Sequence, residues 1–261
     1  LVGSEMCIRD RTGSTKTKAL NGISFNVEKG DFICIMGASG SGKTTLLNCL
    51  STIDVPTEGK VILNDMDITK LAEKDLAAFR RNNLGFIFQD ANLLDTLSIE
   101  ENIALPLTIK EIDPEIIVKK VREIVKQLGI VDTLPKFPYQ VSGGQKQRCA
   151  AARAIITAPK LIFADEPTGA LDSESTKNLM EILCKLNMMF SATILLVTHD
   201  PLTASYARRI LFLRDGQIYR EMERGSVPPL DFYHRIFSIL SEMEVCLLYT
   251  SPSPRDTERS R

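Results

Sequence analysis

The sequence has only two histidines, His199 and His234, and none of its six cysteines stands in a C-x-x-C pair. No histidine lies at metal-ligand spacing from Cys7, Cys34, Cys49, Cys149, Cys184 or Cys246. The cysteines therefore read as small buried hydrophobes in a reducing compartment, not as a zinc site or a disulfide framework. Neither charge is in excess: 32 Lys and Arg face 33 Asp and Glu, a net charge of −1. Nothing in that balance draws the chain to nucleic acid or to an anionic membrane surface. No apolar run approaches the about 18 residues of a membrane-spanning helix. The longest, such as Thr193 to Val197, have the length of a strand. There is no internal repeat, no low-complexity segment and no signal-peptide core. The 261 residues are 44% hydrophobic and 25% charged, a globular composition that excludes disordered and collagen-like chains.

The two ends differ from the middle. Residue 1 is Leu, and residues 1–11 show no amphipathic period. Residues 245–261, with Ser251-Pro252-Ser253-Pro254, carry no fold signal either. Both read as translated adapter scar and are set outside the fold; native disordered termini are the alternative.

Between them, strands alternate with helices. Ile23, Phe25 and Val27 alternate with polar residues as in a half-buried strand. Phe32–Met36, Leu161–Ala164 and Thr193–Val197 are continuous apolar runs, as strands covered on both faces are. Val61–Leu63 and Phe86–Phe88 add short strands, and Thr44–Leu50 and Leu71–Arg81 suit helices. Residues 90–157 read as mostly helical. Asp113-Pro114 starts one helix, striped by Ile117, Val121, Ile124, Val125 and Leu128. A later helix carries Leu179, Ile182, Leu183, Leu186 and Phe190. Asp215-Gly216 joins two strands as a hairpin. Gly225–Pro229 reads as a linker before a last helix with Tyr233, Ile236, Phe237 and Leu240, on which His234 is a surface or packing residue. The expected fold is α/β, with a largely parallel sheet, a small antiparallel β subdomain and an inserted helical subdomain.

Gly37-Ala38-Ser39-Gly40-Ser41-Gly42-Lys43-Thr44 fits G-x-x-x-x-G-K-[ST] at every fixed position. It follows a buried strand and opens a helix, the context the pattern needs. The glycines let backbone N–H groups converge on phosphate oxygens, and the helix start presents its positive end. Lys43 neutralises β/γ charge and Thr44 can ligate Mg²⁺. Asp165 and Glu166 end an apolar strand, so their side chains point to opposite sides. Asp165 suits a metal and Glu166 a general base. Ser142-Gly143-Gly144-Gln145 has capping-box spacing, and its bare glycines make a second anion site. One chain with one phosphate loop does not need two, but a dimer sandwiching ATP does. His199 closes a buried strand, where it could hold the γ-phosphate and orient water.

These motifs, in this order, make residues 13–224 resemble the nucleotide-binding subunits of ABC transporters. The resemblance implies a P-loop NTPase core, with Gly37–Thr45 as the Walker A loop and Gln89 as the Q-loop glutamine. It implies Ser142–Gln145 as the signature and Asp165 as the Walker B aspartate beside the catalytic base Glu166. Ala170-Leu171-Asp172 is then the D-loop, with Asp172 among the nucleotide-site residues, and His199 the switch histidine. On this reading Lys43, Gln89, Glu166 and His199 form the catalytic group, Thr44, Gln89 and Asp165 hold Mg²⁺, and Thr45 joins the phosphate site. It further implies a head-to-tail dimer and an integral membrane permease as partner, at the cytoplasmic face of the bacterial plasma membrane, with no nucleic acid. The ATPase domain would span 12–224, its helical part about 90–157, followed by a linker and helix at 225–244.

Leu84–Asp90, Asn92–Leu97, Glu101-Asn102-Ile103 and Val197–Pro201 look most like the bacitracin-type antimicrobial-peptide resistance ATPases. Lipoprotein-release and macrolide-export ATPases share much of this, usually with Pro where this chain has Asp95. One departure stands out. The family stacks adenine on an aromatic residue before the first strand, and here that place holds Arg11-Thr12-Gly13. Weaker nucleotide binding with poorer base selectivity is the expectation. Two other classes stay open: a non-transport ABC ATPase acting on DNA or ribosomes, and a P-loop kinase for a small molecule.

Overall fold

The computed structural model describes residues 6–9 and 18–250. In chain order, β1 (Met6–Arg9) and β2 (Lys18–Ile23) pair antiparallel. Then come β3 (Phe32–Met36), α1 (Lys43–Leu50), the short antiparallel pair β4 (Ile62–Leu63) and β5 (Met66–Asp67), α2 (Glu73–Asn83) and β6 (Leu84–Phe88). Three helices follow: α3 (Ile99–Ile109), α4 (Pro114–Leu128) and α5 (Gly143–Ile155). The chain ends with β7 (Leu161–Asp165), α6 (Ser173–Phe190), β8 (Ile194–Thr198), α7 (Pro201–Ala204), the hairpin β9 (Arg209–Arg214) and β10 (Gln217–Glu223), and α8 (Pro229–Thr250).

The main sheet has six strands in the order β10-β9-β3-β8-β7-β6, parallel except for the edge strand β10. Its apolar runs divide by parity, because neighbouring side chains point to opposite faces. Cys34, Met36, Ile162, Ala164, Ile194, Leu196, Ile210 and Phe212 face a core completed by α3–α8. Ile33, Ile35, Phe163, Leu195, Val197, Leu211 and Leu213 face a second core, filled by Leu46, Leu47 and Leu50 of α1 and by Leu20, Ile23, Phe25 and Val27. Every strand of the sheet centre is thus covered on both sides, which is why those runs lack alternation. The α/β fold with its small antiparallel sheets and inserted helices is as expected.

The differences have physical causes. Residues 24–28 alternate exposed and buried as read, yet lie outside the strands formed among the described residues, β2 ending at Ile23. Val61 lies outside β4, which keeps only Ile62 and Leu63. The last helix turns a different edge inward: Phe232, Ile236, Ile239 and Met243 are buried in the main core, while Phe237 is 56% exposed. His234 is exposed beside the Tyr233 ring. Phe190, expected on the apolar stripe of α6, is half exposed. Pro229, assigned to the linker, opens α8. Both ends enter the fold further than expected. Met6–Arg9 forms a strand inside the supposed scar 1–11, and α8 continues past 245 because no Pro or Gly interrupts it before Pro252. Residues 1–5, 10–17 and 251–261 lie outside the described residues.

One buried amide fastens the start of the helical part to the turn that precedes it. Asn102, fully buried on α3, accepts from the Leu94 N–H at 2.8 Å, and its Nδ2 lies 3.0–3.1 Å from the carbonyls of Leu94, Leu97 and Ser98. It closes the 94–98 turn that leads from β6 into the helices. Asn102→Ala strands several buried backbone groups at once, so it is expected to lower the unfolding free energy by about 2–3 kcal/mol in urea denaturation.

Candidate active site

All the sequence-predicted residues of the phosphate and acidic motifs come to the C-terminal ends of the parallel strands. Beyond β3 the chain turns through Gly37–Gly42 into α1. β7 delivers Asp165 and Glu166, β8 delivers His199, and β6 delivers Gln89, one residue past the Phe88–Asp165 register pair. Loops at this end of an α/β sheet form the ligand crevice.

Gly42 stands at φ 100, and a Cβ there would come within 2.7 Å of the Ala19 carbonyl oxygen. The left-handed backbone and the close approach both require glycine. Gly216, in the β9–β10 turn, meets the same oxygen at 2.6 Å. The start of β2 is therefore wedged against the phosphate loop and the hairpin together. Inside the loop, Lys43 Nζ donates to the Gly37 carbonyl at 2.9 Å and to the Ala38 carbonyl at 2.8 Å. Burial pushes the Lys43 ammonium below its ordinary pKa, while Glu166 and Asp165 pull it back up. Ser41 Oγ is buried without a hydrogen-bond partner. A glycine-lined loop with a converging ammonium and an unpartnered buried hydroxyl fits a polyphosphate.

Asp165 is raised above the usual carboxylate range, first by burial and then by the Glu166 charge, with Lys43 opposing. A partly desolvated carboxylate with an exposed threonine hydroxyl at Thr44 is the hard-oxygen donor set that Mg²⁺ takes alongside phosphate oxygens. Glu166 adopts φ 45, a left-handed conformation that costs a non-glycine residue energy. Its carboxylate is held from three directions: Oε1 meets His199 N at 3.1 Å and His199 Nδ1 at 2.7 Å, and Oε2 accepts from Thr198 Oγ1 at 2.9 Å. Below it, burial, with help from Glu166 and Asp200, drives the Cys34 thiol far above its ordinary pKa, so this cysteine stays neutral and inert.

Not every predicted residue meets this cluster. The exposed Gln89 packs its side chain against Gly169, and no hydrogen bond joins it to Thr44, Asp165 or Glu166. Ser142 caps α5 in a capping box with Gln145. Gly143 lies against Leu171 and Gly144 against Ser175, while Asp172 caps α6 through the Ser175 N–H at 2.8 Å. These hydrogen bonds hold the Asp172 carboxyl below its usual range. The capped start of α5 and the 170–172 turn thus form a second, exposed assembly. No hydrogen bond or ion pair joins it to the phosphate loop. The place expected for an adenine-stacking aromatic, Arg11-Thr12-Gly13, lies outside the described residues.

Sequence reasoning missed the supports. Gln147, buried on α5, donates from Nε2 to the Phe88 carbonyl at 2.8 Å and also to that of Gln89. Arg153 reaches the carbonyls of Asn92 and Ala91, at 2.7 and 2.8 Å, and braces two left-handed residues there. Thr198 and Asp200 flank His199, but only the histidine drew notice. No local spacing marks contacts between segments about 60 residues apart.

The family model for ABC transporters matches residues 20–169. The chain belongs to the ABC transporter family. It is 51% identical to the bacitracin export ATP-binding protein of Halalkalibacterium halodurans over 225 residues, 86% of this chain and 89% of that protein. It is 42% identical to a macrolide export ATP-binding/permease protein of Bdellovibrio bacteriovorus, over 83% of this chain and 33% of that one. Its fold is similar to the ATP-binding cassette MJ0796, solved as a dimer in a post-hydrolysis state with ADP and Pi. The TM-score is 0.78 at 37% identity, covering 85% of this chain and 98% of that one. This ABC protein is an ATP-binding, ATP-hydrolysing transporter subunit. Among its described residues, no helix is long and apolar enough to cross a membrane.

Proposed function

We propose that the chain is the motor subunit of a peptide-resistance transporter, hydrolysing ATP as a head-to-tail dimer on the cytoplasmic face of a bacterial plasma membrane. The observation that carries this is the Glu166 carboxylate, held in a strained backbone by His199 and Thr198 beside the Lys43 loop. Gly37–Thr45 cradle the phosphates of ATP, and Lys43 neutralises them. Thr44 and Asp165, with Gln89, would hold Mg²⁺, which when bound offsets charge on the phosphate oxygens. Glu166 takes a proton from water as that water attacks the γ-phosphate in line, and His199 steadies the transferred group. The exposed Ser142–Gln145 start of α5, with Asp172 beside it, belongs to the ATP held by the second copy. The similarity to a dimeric cassette supports that arrangement.

The functional unit in this reading is residues 12–224, with 90–157 as its helical part. A groove of about 320 Å³ is lined by Ile53, Arg80, Phe86 and Phe88, the last being the residue before Gln89, and Ile53 is half exposed. We place the permease here, where Gln89 passes the nucleotide state to it. Identity of 51% to a bacitracin export protein, against 42% to a macrolide exporter, favours antimicrobial peptides as the cargo or target.

The test is direct. The purified chain with MgATP is expected to release phosphate with no acceptor added and without stimulation by DNA or RNA. Transfer to a small acceptor, or stimulation by nucleic acid, would overturn the reading. Deleting the gene in its host is expected to increase bacitracin sensitivity. Unchanged sensitivity removes the peptide assignment and leaves the ATPase.

A further inference from the structure

Thr198, the last residue of β8, is fully buried. Its hydroxyl donates to Glu166 Oε2 at 2.9 Å and accepts from the Asp200 N–H at 3.1 Å. With donor and acceptor roles both assigned, this hydroxyl has one orientation. A second chain of bonds starts at Asp200. Asp200 Oδ2 accepts from the Thr203 N–H at 2.9 Å and from Thr203 Oγ1 at 2.5 Å. The Thr203 hydroxyl proton is therefore committed to a carboxylate, and its oxygen accepts from Thr168 Oγ1, 3.0 Å away and also buried. Thr168 lies between Glu166 and the Ala170–Asp172 turn. The loop carrying the carboxylate is thus tied at two points to the loop carrying His199: at Glu166 through Thr198, and at Thr168 through Thr203.

We propose that Thr198 is the positioning residue of the general base, and that the Thr168–Thr203 bond braces the same geometry from the turn. The proposal rests on Glu166 being the base. His199 occupies Oε1 with two nitrogens, one of them on an exposed imidazole, whereas Thr198 fixes Oε2 from inside the core. That leaves the remaining lone pair of Oε2 aimed outward to receive a proton. At φ 45 the backbone of Glu166 does not hold the carboxylate by its own preference, so a tether from a rigid strand end is needed. The Thr198 hydroxyl is committed to Glu166 and Asp200, so it acts through Glu166.

Four single variants and one double variant test this by steady-state ATP hydrolysis. Thr198→Val keeps the shape and removes the hydroxyl. It is expected to lower kcat about 10- to 100-fold while KM for ATP stays within about twofold, the signature of a misaimed group. Thr198→Ser, which keeps both hydrogen bonds, is expected to restore most of kcat. Thr203→Val, which removes the brace and the Thr203 hydroxyl bond to Asp200 but leaves the Thr198–Glu166 bond, is expected to give a smaller loss confined to kcat. In a Glu166→Ala background, Thr198→Val is expected to cause no further loss, because nothing is left to position. An unchanged kcat in Thr198→Val, a failed serine rescue, or the same loss with and without Glu166 would overturn the proposal. Normal turnover in Glu166→Ala alone would overturn the base reading itself, a result separable from the others.

Discussion

Glu166→Gln is expected to bind ATP and to turn it over about 100- to 10,000-fold more slowly than the parent chain, the range a positioned general base contributes. The amide has the shape of the carboxylate, so the backbone at φ 45 and the bond from Thr198 can persist. What disappears is basicity: a neutral amide cannot take a proton from water. The Lys43 loop and Ser41 are untouched, so nucleotide affinity is retained. Binding without hydrolysis holds two copies together, because each copy's Ser142–Gln145 start would stay on the other's ATP. Size-exclusion chromatography with MgATP is expected to show a dimer in Glu166→Gln and mostly monomer in the hydrolysing parent. Near-normal phosphate release in this variant would refute the assignment of the base.

Lys43→Ala is expected to weaken ATP binding about 100-fold or more, because the ammonium that would neutralise the phosphates through charge-assisted hydrogen bonds is gone. The ammonium is already partly desolvated, with its pKa lowered by burial, so the folded chain bears a cost for keeping a charge there. Removing it lifts that cost while freeing the Gly37 and Ala38 carbonyls. The two effects oppose each other, and the thermal midpoint of the nucleotide-free variant is expected to stay near that of the parent. The midpoint of the parent climbs with MgATP through linkage, and that of Lys43→Ala does not. Calorimetric titration with ATP measures the affinity, and a melting series with and without MgATP separates binding from folding. Parent-like affinity would show that this loop does not hold the phosphates.

The motifs of the candidate site were legible because local chemistry dictates them. A glycine-rich turn before Lys43, an acidic pair ending a buried strand and a capped Gly143-Gly144 helix start each need only neighbours in sequence. β3, β7 and β8 were legible because burial on both faces leaves an unbroken apolar run. Residues 24–28 show the limit of period reading: parity tells which side chains face in, but not whether another strand lies alongside. In α8, two overlapping apolar arcs compete, and only the packing against the main core decides for Phe232 and Ile239 over Phe237. The roles of Gln147 and Arg153 were invisible for a different reason. Each satisfies backbone groups that become partners only once the helices dock, and an isolated Gln or Arg carries no mark of that.

The Ala19 carbonyl lodged between Gly42 and Gly216 bears on how a mutational scan of the Walker loop should be interpreted. Any side chain at Gly42 collides with the backbone of β2 before it reaches a phosphate, and any side chain at Gly216, far along the chain, collides with the same atom. Gly40, by contrast, has open space around its missing Cβ. Intolerance at Gly42 should therefore travel with intolerance at Gly216, as a shared steric veto from one oxygen. Sensitivity at Gly40 reports the backbone conformation of the loop alone. Within one short motif, adjacent glycines answer to different masters.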